Sequence, residues 1–183
     1  FRQKNHGHNT LVIDDKLQIA EGKAEVIHFS SDPEFPHTIV DLSPVYKGQA
    51  ESIHRGVALL PSREILIQDQ LTGLKRGSRV RWAMITLGTP GKPDGSRLRL
   101  RKGDASMALA IYSRGTAPNW RIIDTAKPQN EWDSANRGTC AVAFETIAPA
   151  SGKLTFAVLF TPGTCRNSVA ETLSIRPLET WGR

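Results

Sequence analysis

The chain has 183 residues and a mass of 20.1 kDa, enough for one folded unit with a sizeable core and too short for a multidomain enzyme. Hydrophobic residues make up 39% and charged residues 23%, which excludes a disordered chain, and the apolar runs are far shorter than the roughly 20 residues of a membrane-spanning helix. Lys and Arg exceed Asp and Glu by 24 − 18 = 6, an excess that suits polyanionic partners as well as plain solubility.

Helical periodicity is absent, whereas short alternating or β-branched runs separated by Gly, Pro, Asn and Asp recur along the whole chain. In chain order the predicted strands are 9–14, 24–30, 38–42, 50–60, 64–69, 79–86, 97–101, 107–112, 120–124, 140–147, 153–160 and 171–177. A dozen strands in one open sheet would leave an apolar face in water, so the expected fold is all-β: a two-layer antiparallel β-sandwich. No linker or repeat divides residues 1–183, which are read as a single domain. The stretch 115–138 is polar and loop-rich, a surface excursion around one short strand. Phe1 is neither a methionine nor the start of a leader, so the chain is expected to be a piece of a longer protein.

Side chains alternate across a strand, which lets the apolar set of each strand orient its neighbours. Leu11 and Ile13 inward put His6, His8 and Thr10 on the far side; Ile27 and Phe29 inward leave His28 outward; Val40 and Leu42 leave His37 and Asp41 outward; Ile53, Val57 and Leu59 leave His54 outward. All five histidines are thus expected to face away from the core. A hairpin pairing Asp14 with Gly22 would set His8 opposite His28, with Cβ atoms about 5 Å apart. Two imidazoles at that separation can share a metal, with a third ligand drawn from His37, Asp41 or His54.

The segment His6-Gly7-His8-Asn9-Thr10-Leu11-Val12-Ile13-Asp14, followed by Gln18, resembles the entry to the C-terminal β-sandwich of heparinase II/III-like polysaccharide lyases. Asp41-Leu42-Ser43-Pro44-Val45-Tyr46, Arg55-Gly56-Val57-Ala58-Leu59-Leu60 and Ile67-Gln68-Asp69-Gln70 resemble the strands that follow it in that family, so the likeness is good over residues 6–70 and loose beyond. The resemblance implies an N-terminal (α/α) toroid packed on this sandwich, with a cleft between them where uronic-acid polysaccharides of the heparin or heparan sulfate kind are cleaved by β-elimination. It implies that the toroid supplies a tyrosine, that His6 is the catalytic contributor of the sandwich, and that His8 is a metal ligand. His28 and His37 complete the expected set around a structural divalent metal, zinc first. The implied location is periplasmic or secreted, and this domain alone is expected to be inactive.

Arg97, Arg99 and Arg101 alternate with Leu98 and Leu100, so one strand presents three guanidiniums on one side, suited to the carboxylates and sulfates of a polysaccharide. Charge protection of a solvated or edge strand is the plainer reading of the same pattern. Lys75, Arg76, Arg79 and Arg81 make a second basic cluster. Trp82, Trp120, Trp132 and Trp181 suit core packing or loop anchoring, with sugar stacking as the functional alternative. Cys140 and Cys165 are placed to consider one bridge across a hairpin. A non-catalytic carbohydrate-binding sandwich is the competing reading of the whole chain. Nucleic-acid binding is disfavoured, because no recognised module is present and few aromatics interleave the basic residues.

Overall fold

Twelve strands alternate in the chain with tight turns and three short 3-10 turns, in a computed structural model that describes residues 4–114, 117–127, 136–170 and 172–182. They are β1 (Leu11–Ile13), β2 (Glu25–Ser30), β3 (His37–Asp41), β4 (Ser52–Leu59), β5 (Ile65–Thr72), β6 (Arg79–Thr86), β7 (Thr89–Pro90), β8 (Arg97–Lys102), β9 (Ala105–Ser113), β10 (Arg121–Asp124), β11 (Cys140–Ile147) and β12 (Leu154–Pro162). Two antiparallel sheets result, a small one ordered β1-β6-β11-β10 and a large one ordered β2-β3-β4-β5-β12-β9-β8-β7. The expected sandwich is therefore the observed architecture.

Period-two patterning accounts for the inner layer. Leu11 and Ile13, Val80 and Trp82, and Val142 and Phe144 of the small sheet meet Ile53, Leu71, Leu98, Leu100, Leu109, Ile111, Phe156, Val158 and Phe160 of the large one. Trp82 stacks on Phe144 with ring centroids 5.6 Å apart, and Trp120 meets both rings edge-on. No residue of β2 or β3 joins this cluster.

A second apolar cluster lies on the outer face of the large sheet. Ile39, Ala58, Leu66, Ala157 and Leu159 are covered there by Leu178 and Trp181 of the C-terminal segment, with Val169, Leu173 and Ile175 packed alongside. The segment is strapped down by two glutamines of β5: Gln68 Nε2 donates to the Arg176 carbonyl (2.7 Å), and Gln70 Oε1 accepts from the Leu178 amide (3.2 Å). Gly56 of β4 leaves room for it, since a Cβ there would lie 2.5 Å from Leu178 Cδ2 and 2.7 Å from Trp181 Cζ3.

Several expectations need correction. Residues 172–177 form no strand; they run as the irregular part of the strap, and the two-residue β7 was not foreseen. β1 pairs with β6 and not with β2, so the hairpin that set His8 opposite His28 does not form. Ile27 and Phe29 are exposed, at 51% and 69%, because β2 is an edge strand with a bulge between Val26 and His28 and lies outside the inner core. β11 and β12 belong to different sheets, and Cys140 and Cys165 are both free thiols. Trp132 lies outside the described residues.

Candidate functional site

The histidine motif lies at the edge of the small sheet just ahead of β1, and the loop is held by Asn5, Asn9 and Thr10. Asn5 Nδ2 donates to the carbonyls of Leu11 (3.4 Å) and Lys16 (3.1 Å). Asn9 Oδ1 accepts the Ile85 amide of β6 (2.7 Å), and its carbonyl accepts from Arg55 Nη1 (3.1 Å). Thr10 Oγ1 shares a hydrogen bond with the Tyr46 hydroxyl (3.0 Å), which donates to the Leu11 carbonyl (2.7 Å). Arg55 is itself fixed by Asp69, a fully buried carboxylate on the next strand. Fixed loops of this kind present side chains with little loss of order on binding.

His6 sits in the 3-10 turn Asn5–Gly7, half-buried, with its Nδ1 enclosed and without a hydrogen-bond partner. Its carbonyl accepts from Arg81 Nη2 at 3.5 Å. Burial and then the charge of Arg81 hold the imidazole below its ordinary value of 6.5, so it is neutral near pH 7. A neutral imidazole offers one donor and one acceptor nitrogen, which is what proton transfer or carboxylate recognition at a neutral pH needs. His8, two residues on, is exposed.

The other histidines lie elsewhere. His28 and His37 stack on the outer face of the large sheet, ring centroids 5.0 Å apart, beside Phe35 and Trp181. His37 points away from the inner core, as expected, but is buried all the same; its Nδ1 bonds the Phe35 carbonyl (2.8 Å) and its Nε2 has no partner. The reason is the strap, which turns the outward face of β3 into a second core. His54 Nε2 lies 3.7 Å from Asp41 Oδ1 and lines, with His28, Ser52, Gln70 and Glu179, a cleft of about 580 Å³. His8 thus belongs to the small-sheet edge, while His28 and His37 belong to the far face of the large sheet. Among the described residues no group of three or more His, Cys, Asp or Glu side chains is arranged to hold a metal ion. The expected ligands therefore do not fit a shared metal in this arrangement, and no chemical step is derived through one.

The arginine strand behaves as its alternation predicts. Leu98 and Leu100 enter the core, and Arg97, Arg99 and Arg101 stand exposed on the outer face. Arg97 and Arg99 line a groove of about 630 Å³ floored by Ala108 and Ala110, whereas Arg101 faces a separate depression beside Lys102 and Thr139. Across the groove stand Arg166 and Ser168, which the sequence reading missed because nothing local ties residues 166–170 to β8. Of the second basic cluster, Arg79 pairs with Asp15, and Arg81 serves the His6 loop.

No protein-family model matches the chain, and no curated protein matches it. Among solved structures it is similar to a heparinase III gene product (16% identity, TM-score 0.62, 87% of this chain), to the heparan sulfate lyase HepC of Pedobacter heparinus (14%, 0.68, 85%) and to another heparinase III (10%, 0.69, 92%). At these identities the likeness is one of fold. It agrees with the resemblance carried by the motifs of residues 6–70. The chain spans about a quarter of the length of those proteins, 24%, 24% and 25% respectively.

Proposed function

We propose that this chain is the β-sandwich module of a polysaccharide lyase that cleaves uronic-acid-containing polysaccharide by β-elimination, with His6 facing the substrate. The observation that carries the reading is the motif loop itself: Asn5, Asn9 and Thr10 are spent on anchoring it, and the imidazole it presents is neutral and has an enclosed nitrogen without a partner. The fold likeness to heparinase and heparan sulfate lyase structures supports the same class.

In β-elimination a base removes the proton at C5 of the uronate, the electron pair left behind becomes the C4–C5 double bond, and the glycosidic oxygen at C4 departs with a proton from an acid. The C5 proton is weakly acidic, so groups aimed at the uronate carboxylate must stabilise the charge that builds there. A neutral His6 serves as such a donor, and the nearby Arg81 guanidinium adds positive potential without protonating it. The resemblance assigns the tyrosine acid and base to a toroid that would complete the cleft.

Absorbance of the unsaturated uronate provides the test. With heparan sulfate and other uronate polymers, the complete enzyme should form unsaturated product, and His6→Ala should lower turnover by about 100-fold or more while thermal stability is kept. Unsaturated product formed equally fast by His6→Ala, or none formed from any uronate polymer, would overturn the proposal. The second outcome, together with tight glycan binding, would favour a non-catalytic carbohydrate-binding sandwich, the reading for which the basic groove speaks.

A further inference from the structure

We infer that the groove between β8 and the C-terminal segment is a second binding site for a polyanionic glycan, separate from the His6 face. Its cations are Lys92, Arg97, Arg99 and Arg166, all exposed, and Asp94 is the acidic residue among its lining. None of the four has an ion-pair partner among the described residues, unlike Arg55, Arg79 and Arg121, which are matched to Asp69, Asp15 and Glu145. Unmatched guanidiniums on both walls of one groove leave their donor forks free for an external anion.

The groove is built rather than incidental. Ala110 and Ala108 stand opposite Arg97 and Arg99 in the β8–β9 register, so two small side chains form a floor where larger ones would fill the trough. The far wall is pinned by a buried carboxylate: Glu64, fully enclosed, accepts from Ser168 Oγ (2.6 Å), from the Val169 amide (2.9 Å), from Ser62 Oγ (2.9 Å) and from Thr161 Oγ1. The Tyr112 hydroxyl donates to the Ala170 carbonyl at the same wall. Arg166 is thereby held opposite the arginine strand at the end of a fixed segment.

The chemistry of the lining selects the ligand class. Among the described residues no aromatic side chain lines the groove, so these supply none of the stacking platform that single-stranded nucleic acid uses. It lies over a sheet face, and the β8 backbone beside it is already bonded at Arg97 by Asp94 and at Arg99 by Gly91, which leaves an acidic peptide no edge to extend there. Arg97 and Arg99 are about 7 Å apart along the strand, at about 3.3 Å per residue. A chain of sulfated or carboxylated sugars carries charges in repeating steps and fits a shallow trough of guanidiniums over a smooth floor. The site is remote from His6. β8 is four strands from β4, whose Arg55 holds the histidine loop, roughly 19 Å at about 4.8 Å per strand, and the arginines stand on the opposite face of the sheet from Arg55.

The test uses size-defined heparin oligosaccharides titrated calorimetrically into the complete chain in a His6→Ala background, so that the ligand is not consumed. Arg97→Ala/Arg99→Ala/Arg166→Ala should remove one binding site or weaken it at least tenfold, while Arg76→Ala/Arg101→Ala/Lys102→Ala, the same loss of three positive charges outside the groove, should change it less than threefold. Equal losses in both variants, no change in the groove variant, or a thymidine oligonucleotide bound as tightly as heparin at physiological salt would each overturn the inference. The inference does not rest on the lyase reading: failure of the latter is read from absent unsaturated product, failure here from unchanged stoichiometry and affinity.

Discussion

The Arg55 guanidinium grips the Asp69 carboxylate through two bonds of 2.7 and 2.9 Å, between neighbouring strands and away from water, and its remaining nitrogen reaches the Asn9 carbonyl of the histidine loop. Register sets the two residues directly opposite each other on β4 and β5. The pair thus couples the inner layer of the large sheet to the loop that carries His6 and His8. Removing one partner strands a buried charge. Asp69→Ala should lower stability by about 3–5 kcal/mol in chemical denaturation, while Arg55→Met/Asp69→Leu, which replaces both ions, should recover much of that loss. The double variant should still lack normal His6 function, because the tie to Asn9 is gone.

His6 offers a pH prediction with a definite sign. Its folded value lies below 6.5, chiefly through burial and then through Arg81. The neutral form is therefore favoured by folding, and this contribution to stability is present above pH 6.5 and lost as pH falls through the folded value. An NMR titration should give a midpoint below 6.5 that rises in Arg81→Gln yet stays under 6.5, since burial is the larger cause. A midpoint above 6.5 in the native protein would contradict the environment described.

Glu64 gives the opposite kind of group the same direction. Burial works against its charge, but donation from Ser168, Thr161, the Val169 amide and Ser62 outweighs that and holds the carboxyl below its ordinary value of 4.5. The stabilisation is present above pH 4.5 and fades as pH falls through the depressed folded value. Glu64→Gln should cost roughly 2–3 kcal/mol at neutral pH and flatten the acid limb of a stability profile. The wall at residues 166–170 should loosen with it, which limited proteolysis or hydrogen exchange at Val169 would register.

Gly56 tests the strap. Its Cβ would collide with Leu178 and Trp181, so Gly56→Ala must push the segment off or strain the sheet, at a cost of about 1–3 kcal/mol. Greater protease cleavage within 172–182 is the expected readout, and Gly56→Ala combined with Trp181→Ala should lose less than the two single changes added together.

The motifs that resemble the lyase family are largely structural, which explains why residues 6–70 were the legible part. Tyr46 bonds Leu11, Arg55 bonds Asp69, Gly56 admits Trp181, and Gln68 and Gln70 strap the tail. Each is a residue type fixed by a neighbour distant in sequence, so such a pattern announces a fold before it announces chemistry. The histidines were harder to place. Alternation oriented His37 correctly away from the inner core, but it could not say that Leu178 and Trp181 would cover that outer face, 141 residues or more along the chain.

By itself the sequence determined the strand content, because alternation with a period of two is a local property: Leu98 and Leu100 inward with Arg97 and Arg99 outward needed no partner to be read. It also determined the two-layer form, since so many half-apolar strands must bury one face against another sheet. Only the tertiary structure decided that β1 pairs with β6 rather than β2, that His8 and His28 part company, and that Arg166 comes to stand across from Arg97. Strand pairing is a choice among alternatives of similar local pattern, and it is settled by which pairings together bury Leu11, Trp82 and Phe144 in one core and Ile39, Leu159 and Trp181 in the other.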